Sequence, residues 1–298
     1  MPAVIESYKK LIQAGDLPPL SEAGLEILRL GERDDLSASQ LVRVISKDPA
    51  LAAKVLRIAN SPFYGLRTQV KTLEHAIVVL GQVSIVSICA ASALVGGLKT
   101  SKAVNHERYE LKPLRGHAVL TAILARWLAQ HGASSQVPMS GVFLGGLLHD
   151  IGELAIAIFY PQHLKEIGQY EQEHPDASSY QAEQAILGFD HQELGAEVLS
   201  HWHLPQLYID IAGHHHDATC AVHIGEETGM LLQAADQLAG VFKDDFSHVI
   251  TSGKAQQEEL PESWIVAISM IQDLAPGIEE SLEKDMEGIL EEARVMIE

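Results

Sequence analysis

Cysteine is nearly absent from this 298-residue chain: Cys89 and Cys220 are the only two. No disulfide framework is indicated, and a reducing compartment, the cytoplasm, is the expected setting. Positive charge is scarce as well, with 21 lysines and arginines against 40 acidic residues and a formal net charge of −19. Such a surface repels phosphate backbones and anionic lipid heads, so neither nucleic acid nor a membrane is an expected partner. Aromatic residues make up only 5% of the chain while 47% is apolar, a balance that fits a folded helical protein. The N-terminus shows no basic region leading into an apolar run and a small-residue cleavage site, so no export signal is expected. No alternating strand pattern of useful length appears, and the expected fold class is all-α, a helical bundle.

What is present is helical punctuation. Ser37 with Gln40 three residues on is a capping box ahead of Leu41, Val42 and Ile45,. Asp48-Pro49 starts the next helix, because Asp caps well and proline at the first helical position gives up an amide hydrogen that had no partner. Asn60-Ser61-Pro62 stops it, since the residue before proline is pushed out of the α region. From Ala76 to Leu98 there is no charged residue across 23 positions, long enough for a bilayer. Gly81, Gln82, Ser84, Ser87, Ser92 and Gly96-Gly97 interrupt that run, and Thr72 and Gly81 bracket a short helix, so a buried helix pair is expected. From Phe242 onward 14 acidic residues face 4 basic ones, a net of −10, which predicts a solvated acidic surface on terminal helices.

Against this background several polar side chains stand on apolar stripes. Pro113 to Ala129 reads as a helix burying Leu120, Ile123, Leu124, Trp127 and Leu128, with His117 beside that face. Val142 to Tyr160 is apolar except at His149, Asp150 and Glu153, so the doublet is expected inside an apolar helix. His191 follows the cap residue Asp190, the pair His214-His215 lies further on, and Asp236 sits among Ala234, Ala235 and Leu238. Burying carboxylates and imidazoles costs several kcal/mol, roughly, unless partners or a metal replace their hydration. The order H…HD…H…HH…D mixes imidazole and carboxylate as a site for Zn, Mn, Fe or Ni does, and an aspartate that bridges two ions favours phosphate-ester hydrolysis.

The runs LPPLSEAGLEIL (Leu17 to Leu28), VISKDPALAAKVLRIANSPFYGL (Val44 to Leu66), TLEHAIVVLG (Thr72 to Gly81) and GLLHDIGELAI (Gly146 to Ile156) resemble the HDOD domain, the HD-related output domain of bacterial signalling proteins. That resemblance covers Leu17 to about His216 and places the chain near the HD superfamily of helical metal-dependent phosphohydrolases. It implies N-terminal HDOD helices over 1–105, an HD-like core with a metal site over 106–240, and an acidic helical extension over 241–298. It also implies a ligand set of His117, His149, Asp150, His191, His214, His215 and Asp236 for one or two divalent ions. Asp150 would bridge them, with His117, His149 and Asp236 around one ion and His191, His214 and His215 around the other. His149 and Asp150 would carry any catalysis, and His201, His203 and His216 would donate from just outside.

Two departures bear on activity. Many HD-GYP-like relatives have lysine three residues after the signature aspartate, where this chain has Glu153, and the Gly-Tyr-Pro signature is missing after His215. Cyclic di-GMP hydrolysis is therefore not expected. Arg115 and Arg126 are the candidate positive charges beside His117. Two functions remain open: a metal-dependent phosphohydrolase acting on a small phosphate ester or nucleotide, and a signalling scaffold whose N-terminal helices meet a protein partner. Any upstream signal is expected to come from another protein.

Overall fold

The computed structural model describes residues 21–30, 36–99, 112–131, 139–217, 225–240, 269 and 277–297, and every regular element among them is helical. Residues 17–20 of the N-terminal motif, His106, His223, His248, Cys220, the stretch 218–220 and most of the acidic segment after Phe242 lie outside the described residues, as do the boundaries expected near 105 and 241. The helices are α1 (Glu22–Leu30), α2 (Ala38–Ile45), α3 (Pro49–Ala59), α4 (Leu73–Lys99), α5 (Lys112–His131), α6 (Met139–Leu148) and α7 (Ile151–Phe159). They continue with α8 (Leu164–Glu173), α9 (Ser179–Leu187), α10 (His191–His201), α11 (Gln206–His214), α12 (Glu226–Gly240) and α13 (Ile278–Ile297).

Local chemistry sets these boundaries much as the pattern predicts. Ser37 accepts from the Gln40 amide while the Gln40 side chain accepts from the Ser37 amide. Asp48 takes the amides of Ala50 and Leu51, with Pro49 at the first position of α3. Asn60 ends α3 and clamps the following loop, accepting from the Val70 amide at 2.8 Å and donating to the Val70 carbonyl at 2.9 Å. Within α4, Gly81 has φ 79° and ψ 162°, a conformation only glycine adopts without strain. The apolar run is thus two helical pieces joined at a kink. The stretches Leu73–Leu94 and Met139–Phe159 are long and apolar enough to span a bilayer, but of the 18 residues in each that meet this test 61% and 83% are buried in the bundle.

Helix α5 is the axis of the second half. It packs most extensively on α6, then on α12 and α13, while α10 packs on α7 and α11. The residues expected inward on α5, Leu120, Ile123, Leu124, Trp127 and Leu128, are all buried. The N-terminal helices α1, α2 and α3 wrap α4, which in turn touches α6 and α13. Two expectations need correction. The His149-Asp150 doublet is not inside one helix: it forms the turn between α6 and α7. The acidic C-terminal helix α13 is not merely a solvated surface, because Ile278, Leu282, Met286, Ile289, Ala293 and Met296 form a buried face on the bundle.

Candidate metal centre

Five elements deliver the polar side chains to one place. His117 comes from α5, His149 and Asp150 from the α6–α7 turn, His191 from the first position of α10, His215 from the end of α11 and Asp236 from α12. Gly152 makes the approach of α7 to α10 feasible: a Cβ there would collide with the His191 carbonyl oxygen. The absence of that carbon lets the Asp150 turn lie against the start of α10.

Asp150 divides its oxygens. Oδ2 lies 3.3 Å from His117 Nε2 and 3.1 Å from His149 Nε2. Oδ1 lies 3.1 Å from His215 Nε2 and 3.8 Å from His191 Nε2. Asp236 Oδ1 completes the first group, 2.9 Å from His117 Nε2 and 3.4 Å from His149 Nε2. Two pockets result: His117, His149, Asp150 and Asp236 in one, and Asp150, His191, His215 and His216 in the other, the ligand atoms within each lying within 4.8 Å of one another.

Ring orientation follows from the other nitrogens. His149 Nδ1 faces the Gly146 carbonyl at 2.7 Å and His215 Nδ1 the Ala212 carbonyl at 3.0 Å. A carbonyl only accepts, so both Nδ1 atoms carry hydrogen, and each ring in its neutral form turns an Nε2 lone pair inward. The His191 and His215 Nε2 atoms then face each other at 3.3 Å, and His149 Nε2 faces two carboxylates. Lone pairs so opposed repel unless a proton or a metal cation stands between them. His149 Nε2 and Asp150 Oδ1 are buried without a hydrogen-bond partner, as expected of atoms meant for an ion. Ligands about 2.1 Å from one ion stand about 3.0 to 3.4 Å apart at octahedral or tetrahedral angles, the spacing found around Asp150 Oδ2 and Asp236 Oδ1. The donor set fits a pair of divalent ions.

The electrostatics agree. Burial opposes charge on His117, but hydrogen bonds to Asp150 and Asp236 outweigh it and hold that imidazole up at about 9. His149 is likewise raised, burial again being overcome by Asp150 and Asp236. Despite the cost of burial, Asp150 and Asp236 are held well below the usual carboxylate range by the surrounding histidines. His215 goes the other way, lowered by burial, and His216 is pushed down to about 3 by desolvation and the neighbouring His215 and His191.

One expected ligand is not brought in. His214 is directed to Asp217, with Nδ1 and Oδ2 at 3.0 Å, and its side chain is 34% exposed. His216 joins the second pocket instead, packed against His215 with ring centroids 4.1 Å apart. At the end of α11 each residue advances roughly 100° around the helix, so of three consecutive histidines the sequence does not say which two face inward. His201 and His203 are exposed, and His203 Nδ1 meets the Ser200 carbonyl at 3.2 Å, so neither reaches the centre. Arg126 is buried and held by both oxygens of Glu292, at 2.7 and 2.6 Å. Arg115 lines an apolar pocket that reaches Asp150 between Leu114, Val119 and Leu147. A residue the sequence did not flag is Glu183, whose Oε2 lies 2.7 Å from His191 Nδ1. The only sequence signal for it is its place in a short helix, eight residues before His191.

Residues 17–218 match the HDOD domain, and the chain belongs to that family. An uncharacterized protein of Treponema pallidum (strain Nichols) is 27% identical over 202 residues, which is 68% of this chain and 38% of that protein. The match thus spans little more than a third of that relative's length. The fold is shared with a proposed phosphohydrolase from Shewanella amazonensis SB2B, at TM-score 0.71 and 24% identity over 97% of each chain. It is shared too with an HDOD domain protein with unknown function from Geobacter sulfurreducens, at TM-score 0.68 and 20% identity over 98% of this chain and 99% of that one.

Proposed function

We propose that this protein is an HDOD signal-output protein of the cytoplasm whose HD centre holds two divalent ions and hydrolyses a small phosphate ester or nucleotide. The observation that carries the reading is the division of Asp150, one oxygen toward His117 and His149 and the other toward His215 and His191. A pair of ions held there would supply Lewis acidity toward a phosphoryl group and an activated water near neutral pH. The chain's own contribution is orientation. The Gly146 and Ala212 carbonyls fix the rings of His149 and His215, and apolar side chains line the pocket that holds Arg115 and Asp150. The description of the Shewanella relative as a proposed phosphohydrolase is in keeping with this reading.

A scaffold role, with the N-terminal helices meeting a signalling partner, is favoured by two observations. Arg126 is committed to Glu292, and Glu153 stands where a lysine would greet phosphate. The deciding experiment is metal analysis of the purified protein followed by assay on bis(p-nitrophenyl) phosphate and a nucleotide panel, with His149→Ala and Asp150→Ala as controls. The expected result is bound metal and turnover that either substitution abolishes. Metal without turnover on any substrate would favour the scaffold.

A further inference from the structure

Glu183 is 5% exposed on α9, yet none of the expected ligands lies on that helix. Its Oε2 accepts twice from one residue, from the His191 backbone N–H at 2.8 Å and from the ring Nδ1–H at 2.7 Å. The chain is shaped for this. Gln181 takes the Ser178 amide at 3.0 Å where α9 starts, and Gly188, at φ 79°, ends it in the left-handed conformation so that the chain turns back toward α10.

A buried acid at a helix start can be no more than a cap, but α10 already has one. Asp190 accepts from the Glu193 amide at 2.9 Å. The bond to the ring is what capping leaves unexplained. By taking the Nδ1 hydrogen, Glu183 fixes the tautomer of His191 and turns its Nε2 toward His215, 3.3 Å away. Carboxylates that hold a ligating imidazole in this way fix its orientation and raise its basicity. Glu153 belongs to the same cluster, its carboxylate within 4.8 Å of the ligand atoms of Glu183 and His191.

We infer that Glu183 is a positioning residue for the second ion: it aims His191 Nε2 into the pocket formed with Asp150 and His215 and strengthens that nitrogen as a ligand. This rests on the two-ion reading of the centre. Since a single oxygen makes both bonds, glutamine at 183 can keep them and lose only the charge, whereas alanine loses both.

The test is cobalt(II) titration of the full chain, following stoichiometry, affinity and visible absorption. In Glu183→Ala the cobalt of the His191 pocket is expected to lose roughly 10- to 100-fold in affinity while the other is unchanged. Glu183→Gln falls between this variant and the original chain, and guards against misfolding of the alanine variant, which circular dichroism reports. Asp190→Ala, which removes the cap of α10 without touching the ring bond, leaves both cobalt ions in place. Unchanged binding and spectrum in Glu183→Ala would overturn the inference, as would an equal loss in Asp190→Ala. A starting protein that binds no cobalt would remove the two-ion reading itself, and this inference with it.

Discussion

In His149, His191 and His215 the protein holds one ring nitrogen and leaves the other facing the pocket, where a cation would stand. Where no ion is bound, protons take that place, and this has a pH signature. His117 and His191 sit at about 9 in the folded chain against an ordinary 6.5. Their contribution to stability is complete below pH 6.5 and is lost as pH rises through about 9. His216, lowered to about 3, and His215, also lowered, act in the opposite window, favouring unfolding as pH falls below 6.5. Chelator-treated protein should therefore show its highest urea midpoint near pH 6.5 and a falling midpoint toward pH 9, and divalent metal should remove the alkaline decline. A flat alkaline limb in the chelated protein would contradict these assignments. The same scale separates the two neighbours of His215. His216→Ala should cost the second ion, whereas His214→Ala should leave metal content intact, both read by elemental analysis. The sequence makes His117, His149, Asp150 and Asp236 legible because they break or border apolar stripes, and His191 and His215 through the resemblance to the family's ordered histidines. It did not distinguish His214 from His216, since three adjacent histidines at a helix end carry no stripe to break.

At the scale of elements, the centre depends on how closely helices approach. The expected single helix over 142–160 is two helices with the doublet in the turn, and apolar composition on both sides of the turn hid the break. Caps and breakers were legible elsewhere, at Ser37, Asp48, Asn60 and Gly81, because each is a local event of hydrogen bonding or backbone sterics. Contact between α7 and α10 is not local, and Gly152 looked like any other glycine in sequence. Gly152→Ala forces a methyl against the His191 backbone. Overpacking of this kind costs about 1 to 3 kcal/mol, and here it also pushes Asp150 away from His191. Calorimetry should show a lower Tm, and metal analysis a loss of bound ion greater than the loss of folded protein.

Across the whole molecule, α13 lies beyond the residues that match the family, yet it packs on α5, the helix that carries His117. Its hold is polar as well as apolar, since Glu292 is the buried partner of Arg126. Removing one member of such a pair leaves an uncompensated charge, worth roughly 3 to 5 kcal/mol. Glu292→Ala should lower stability by about that amount in chemical denaturation, and Arg126→Met combined with Glu292→Met should recover most of it. Composition alone pointed to a solvated acidic tail because counting charges does not see which of them turns inward.

The bond from Arg29 to the Trp202 carbonyl, 2.8 Å long, joins residues 173 positions apart and ties α1 to the end of α10. On a ribosome adding about 5 to 20 residues per second, the arginine waits roughly 10 to 35 s for its acceptor to be synthesised. Asp236 follows later still, so during translation the nascent chain carries most of its histidines before it has the carboxylate that completes their first pocket.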